Sequence, residues 1–272
     1  MNGVPIVDEV LADLAVEGDE LERLVSGIDA GQWRLTTPAP GWTIANQISH
    51  LTSSDLLATL AATDAEAFGA RRAELAGDFN EAVGAGATEF ASDPPERLLS
   101  RWRDARSGLQ GALAAVPAGQ RVPWIVAPVS PATLATTRLM ELFGHGQDIA
   151  DALGVRRPVT DRIVHVARLG VRTRDYAFLA RGLTPPAEEF RVELSSPGGQ
   201  PWTWGPEHAA QGVSGPALDF CLLVTQRRHR DDLRLAARGP DADRWLSFAQ
   251  AYAGPPGPGR APGEFDPVER PR

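Results

Sequence analysis

The stretch that most constrains the fold is Arg138-Leu-Met-Glu-Leu-Phe-Gly-His-Gly-Gln-Asp-Ile-Ala-Asp-Ala-Leu-Gly154. It reads as one helix, closed by Gly154 at the usual C-terminal glycine position. At about 100° per residue, Leu134, Arg138, Glu141, His145, Asp148 and Ala152 fall on one stripe, flanked by Leu142 and Ile149. Glu141 and His145 are one turn apart, with Cβ atoms about 5–6 Å from each other on the same face. That spacing suits two ligands of one metal ion. It also suits a solvated helix face with a weak hydrogen bond. Gly144 and Gly146 bracket the histidine. Each costs roughly 1 kcal/mol against alanine inside a helix, so the pair reads as room cleared beside the imidazole.

The chain has 272 residues, 43% of them hydrophobic, enough for one large domain or two of ordinary size. A net charge of −8, with no lysine at all, argues against a general nucleic-acid binder. Cys221 stands alone in the apolar run Phe220-Cys-Leu-Leu-Val224. A lone cysteine makes no intrachain disulfide and fits a buried small hydrophobe in a reducing cytoplasm. The N-terminus carries no basic segment followed by an apolar one, and no run of about 18 apolar residues exists. The expectation is a cytoplasmic chain without a membrane span.

Apolar spacing from Val7 to Ile28 predicts a first helix. After Pro38, Pro40 and Gly41, Thr43 is a natural N-cap for a second, starting at Ile44 and running towards Leu75 with a kink at Gly69. Its core face is Ile44, Ile48 and Leu51. Asp55 projects to the same side, where a buried carboxylate needs a partner. His50 lies off that face, in line with Gln47, Ser54, Leu57 and Ala61. Residues 77–94 read as loop. A third helix follows Pro94-Pro95, packing through Leu98, Trp102, Leu109 and Leu113. The proline-rich segment around Trp124 is expected to cover one mouth of a bundle. Another helical pattern runs from Asp161 to Arg181.

Periodicity changes after Pro185-Pro186. Phe190–Leu194 and Pro201–Trp204 alternate as the strands of a hairpin. Ala217–Gln226 reads as helix, Leu233–Ala237 as strand and Ala242–Ala253 as helix. The fold class is therefore α+β: a helical bundle over 5–182, a small α+β domain over 187–253, and a Pro/Gly-rich tail over 254–272 expected to be disordered.

Facing helices of a bundle are a common place to assemble a metal site. His50 opposite Glu141 and His145 would supply two imidazoles and a carboxylate. That set favours Zn²⁺ with one position left open, and also suits Fe²⁺ or Ni²⁺. Taken alone, a histidine so placed is more often a structural or surface residue than a ligand. Arg227, Arg228 and Arg230 cluster after the Ala217 helix and could grip a carboxylate; the alternative is a solvated turn neutralised by Asp231 and Asp232.

Pro40-Gly-Trp-Thr-Ile-Ala-Asn-Gln-Ile-Ser-His50, followed by the Arg138–Gly154 stretch, resembles the DinB/YfiT-like metal-binding four-helix bundles. The nearest branch is the actinobacterial one that includes mycothiol-dependent maleylpyruvate isomerase. The resemblance covers roughly 5–182. It implies a zinc ion on His50, Glu141 and His145, and the absence of lysine suits an actinobacterial origin. Val213-Ser-Gly-Pro-Ala-Leu-Asp-Phe-Cys-Leu-Leu-Val-Thr-Gln-Arg-Arg-His229 resembles the small C-terminal domain attached to many such bundles, sometimes labelled wyosine base formation.

By this resemblance the chain is an enzyme whose partners are a small-molecule substrate and a low-molecular-weight thiol, mycothiol. A metal-held thiolate would attack an electrophilic carbon, giving S-transfer or isomerisation, and the resemblance extends the substrate range to natural-product pathways. Asp148 would orient a ligand from behind. Trp124 and Arg227, Arg228 and Arg230 would wall a pocket between the two domains. The alternatives are a hydrolase or lyase using metal-bound water, and a metal- or ligand-binding module without turnover.

Overall fold

Four long helices carry the first part of the chain: α1 (Val7–Ser26), α2 (Ile44–Thr63), α5 (Pro95–Ala114) and α6 (Pro131–Leu153). Two shorter ones, α3 (Ala65–Leu75) and α4 (Phe79–Glu89), lie between the second and third of these. The computed structural model describes residues 7–75 and 79–265. These divide into two compact units, the first ending at Arg157 and the second beginning at Pro158.

In the first unit α2 packs along α5 and α1 along α6. The buried faces follow the expected periodicity, with Val10, Leu14 and Leu21 on α1, Ile44, Ile48 and Leu51 on α2, and Leu98, Trp102 and Leu109 on α5. Helix starts are set by capping chemistry. Thr43 and Asn46 form a reciprocal capping box on α2, and Ser130 accepts from Thr133 N ahead of Pro131 on α6. Gly154 closes α6 at φ 64°, the left-handed conformation that ends helices.

Two expectations fail here for local reasons. The second helix does not continue to Leu75 with a kink at Gly69. It stops at Asp64, whose carboxylate accepts from Ala67 N (2.9 Å) and so caps a new helix. The stretch 77–94, read as loop, contains α4. Its small residues hid the pattern because its packing is polar and close. Ser49 and Ser53 both donate to Gly86 O, and Asn46 Nδ2 donates to Ala87 O. A Cβ on Gly86 would lie 3.3 Å from the Ser53 Cβ. The Trp124 segment makes an isolated bridge, Val122 to Val129, and buries its indole in a stack on Phe68 (5.9 Å).

The second unit begins with α7 (Val164–Arg172) and α8 (Arg174–Leu179), expected as one helix in the bundle. They break at Thr173 and belong to this unit, where α7 packs on α9 (Ala217–Val224). Gly170 permits that approach, since a Cβ there would meet Val224 and Phe220 at 2.9–3.0 Å. The sheet contains β1 (Phe190–Ser195), β2 (Pro201–Trp204), β3 (Gln211–Pro216) and β4 (Ala236–Arg238), in the order β2-β1-β3-β4. β1 runs parallel to β3, and the other pairs are antiparallel. Among the described residues no strand joins a sheet before Phe190, so the architecture is α+β with the sheet confined to the expected region.

β3 was not anticipated. Val213 is its one large apolar residue, and Gly215, at φ 148°, would place a Cβ 2.5 Å from Arg234 O. The last strand comes slightly later than expected, and α10 (Pro240–Leu246) is shorter than the predicted Ala242–Ala253 helix. Trp245 fills the core, edge-on to Phe190 and Phe220. Residues 254–265, expected to be disordered, form no helix or strand but are tied down. Tyr176 Oη donates to Gly254 O, Gly263 N donates to Asp232, and Phe265 lies under Arg228 at 4.3 Å. The rest of the predicted tail, 266–272, lies outside the described residues.

Candidate metal centre

Helix α2 delivers Gln47 and His50, and α6 delivers Arg138, Glu141 and His145. His145 Nε2 lies 3.0 Å and His50 Nε2 3.6 Å from the same atom, Glu141 Oε2. One ligand atom from each of the three residues falls within 4.8 Å of the others. The imidazole centroids are 4.6 Å apart. Trp42, just before the α2 cap, lies 5.2 Å from the His50 ring and stacks on His145 at 5.8 Å.

A polar chain behind His145 fixes the orientation of its ring. Thr37 Oγ1 donates to Trp42 O (3.0 Å) and accepts from Gln47 Nε2 (2.8 Å). Gln47 Oε1 is thereby turned to His145 Nδ1. An amide oxygen only accepts, so Nδ1 carries a proton and donates to it, which leaves Nε2 as the ring atom that faces Glu141 and would take a metal ion. Metal-ligating histidines are held in this way.

Burial alone would raise the Glu141 carboxyl. Hydrogen bonds to His145 and His50, together with the Arg138 charge, outweigh it and hold the group well below the usual carboxylate range. Glu141 is therefore ionised at neutral pH. Two imidazoles and one carboxylate converging at these distances fit a divalent cation.

Other sequence expectations fare differently. Asp148 is fully buried on the same stripe of α6. Gly146 makes room for Arg157 rather than for His145: a Cβ would lie 2.9 Å from the guanidinium, which bonds Phe143 O and Glu17. Asp55 is buried, and the nearby charges of Arg138 and Arg106 are the partners it lacked in sequence. It lines a cavity of about 10 Å³ with Arg106 and Gln110, room for about one water. Arg227, Arg228 and Arg230 lie in the second unit. There Arg227 and Arg228 donate to backbone carbonyls, and Arg230 pairs with Asp243 rather than with Asp231 or Asp232. Gln47, Thr37 and Trp42 were not singled out from sequence. Gln47 could have been, since it stands three residues before His50 on one helical face.

The family described as mycothiol maleylpyruvate isomerase N-terminal domain matches residues 14–150, about half of the chain and every residue of the cluster. The chain belongs to that family. The resemblance carried by the Gly-Trp-Thr…His and Glu-x3-His motifs is thus upheld. Residues 186–238 match a second family, described as wyosine base formation. Two uncharacterised proteins of Mycobacterium tuberculosis, from strains CDC 1551 / Oshkosh and ATCC 25618 / H37Rv, are each 53% identical over 254 residues, covering 92% of this chain and 97% of theirs. Crystal structures of mycothiol-dependent maleylpyruvate isomerase and of a histidine-to-alanine variant share the isomerase-family fold. Their TM-scores are 0.54 and 0.55 at 16% and 15% identity, over 81% of this chain and 88% of those chains.

Proposed function

We propose that this chain is a metal-dependent enzyme that places a low-molecular-weight thiol on an electrophilic carbon of a small molecule. If the thiol stays, the reaction is S-transfer; if it leaves again, isomerisation. The observation that carries the reading is the convergence of His50 Nε2 and His145 Nε2 on Glu141 Oε2. Family membership supports mycothiol as the thiol. Zn²⁺ suits the donor set best, and Fe²⁺ or Ni²⁺ would also fit.

When bound, the ion would supply the positive charge that keeps a thiol deprotonated at neutral pH. The chain's own contribution is orientation. Gln47 holds the His145 ring, Glu141 brings the carboxylate, and Asp148 supports the ligand helix from within. Trp42 limits water on one side of the imidazoles. The lone buried Cys221 cannot serve as the nucleophile, because burial pushes its thiol well above the usual range. A cytoplasmic location is part of this reading, since the thiol must stay reduced; no described helix is long and apolar enough to cross a membrane.

The test is metal analysis of the purified protein, followed by thiol titration of the Co²⁺-substituted form. One ion per chain and a thiol-dependent change in the visible spectrum are expected. A folded protein that takes up no stoichiometric metal would remove the basis of the proposal.

A further inference from the structure

We propose that Arg138 is a positioning residue that reserves one oxygen of Glu141, so that this carboxylate meets a metal ion through Oε2 alone. The inference rests on the metal reading above and concerns how the site keeps a position open. Both histidines approach Oε2, at 3.0 and 3.6 Å. Arg138 Nη2 stands 3.6 Å from the other oxygen, Oε1. The two residues are three apart on α6, so the helix itself sets their pairing.

The guanidinium is fixed from its other side as well. Its Cζ lies 5.5 Å over the Trp124 ring, and Trp124 stacks on Phe68. The residue is 6% exposed, and its Nε and Nη1 have no hydrogen-bond partner among the described residues. A guanidinium does not lose its proton in proteins, so one buried this deeply needs a negative neighbour. Glu141 supplies one at 3.6 Å, and the buried Asp55 is a second acidic group near the same guanidinium.

The consequence is a matter of coordination number. A carboxylate that chelates through both oxygens fills two positions, whereas one tethered at Oε1 fills one. With two imidazoles that makes three protein donors, and a four-coordinate ion keeps a place for an exogenous ligand. Charge on the Arg138 side also draws electron density from Oε2, which makes the bound ion a stronger acid towards a thiol.

The deciding experiment is infrared difference spectroscopy of wild-type protein, Zn²⁺-loaded minus metal-free, with Glu141→Gln identifying the carboxylate bands. One-oxygen ligation widens the separation of the symmetric and antisymmetric stretches, and two-oxygen ligation narrows it. We expect the wide separation in wild type, its narrowing in Arg138→Met, and its return in Arg138→Lys, which restores the charge. Chelator competition should show the Arg138→Met ion held about 10–100-fold more weakly. A narrow separation in metal-loaded wild type overturns this proposal and leaves the metal reading standing. A wild-type protein that binds no Zn²⁺ overturns both. A separation that stays wide in folded Arg138→Met also overturns it; if that variant does not fold, Arg138→Gln, which keeps hydrogen-bond donors without the charge, takes its place.

Discussion

The side-chain oxygen of Gln47 accepts a hydrogen bond from His145 Nδ1, and this bond joins the two helices that carry the candidate ligands. It does for the histidine what Arg138 does for the glutamate. Gln47→Leu keeps the bulk and removes the acceptor. It should weaken metal binding about 10–100-fold while the fold persists. Chelator competition on the purified variant reads this directly, and an affinity within about twofold of wild type would deny Gln47 an orienting role.

The two carboxylates of α6 are predicted to behave differently. Glu141→Ala should lose the ion together with any thiol-dependent activity. Asp148→Asn should retain most of the metal with about 10–100-fold lower affinity. Metal content of both variants beside wild type is the measurement. Full occupancy in Glu141→Ala, or complete loss in Asp148→Asn, would mean that the roles are reversed.

Asp55 makes stability depend on pH. Burial pushes its carboxyl from 3.8 up to about 7 against the opposing charges of Arg138 and Arg106, with Glu141 adding to the rise. The folded chain thus holds this proton more tightly than the unfolded chain. The contribution is fully present below about pH 4 and is lost as pH rises to about 7. At about 1.4 kcal/mol per pH unit the loss is on the order of 4 kcal/mol. Asp55→Asn cannot ionise, so it should raise the melting temperature near pH 8 and change it little near about pH 4. Thermal denaturation at both values checks the sign; an equal shift at both would rule out ionisation as the cause.

The open end of the β1–β2 hairpin, opposite its turn, offers a backbone test. Gly205 has φ 78°, and a Cβ there would lie 2.0 Å from Phe190 O. Gly205→Ala should destabilise the protein by more than about 1 kcal/mol. A denaturant melt matching wild type would show that the backbone beside Phe190 can shift at no cost.

The sequence made legible those features that rest on one helix or one cap. Thr43, Gly154 and the Glu141/His145 spacing were readable because each depends on residues within a turn or two. The pairing of His50 with that helix came from motif resemblance, since its surroundings on α2 are mixed. What stayed hidden was set across longer distances. Helix α4 docks through serine-to-carbonyl bonds and a glycine contact, which leave no apolar stripe to read. Strand β3 lies between two partners while carrying little apolar side chain of its own. Gly146 suggested space beside the histidine, but the side chain that claims the space is Arg157, beyond the end of the helix.

The Trp42 indole, 5.2 Å from one imidazole and 5.8 Å from the other, has an optical consequence. Indole emission is quenched by a paramagnetic ion held a few ångströms from the ring. Capture of a paramagnetic ion by these rings therefore changes the light that Trp42 gives out. Comparison with Trp42→Phe isolates that signal from the other tryptophans. The site thus carries its own fluorescent probe, read without a label, a substrate or a coupled assay.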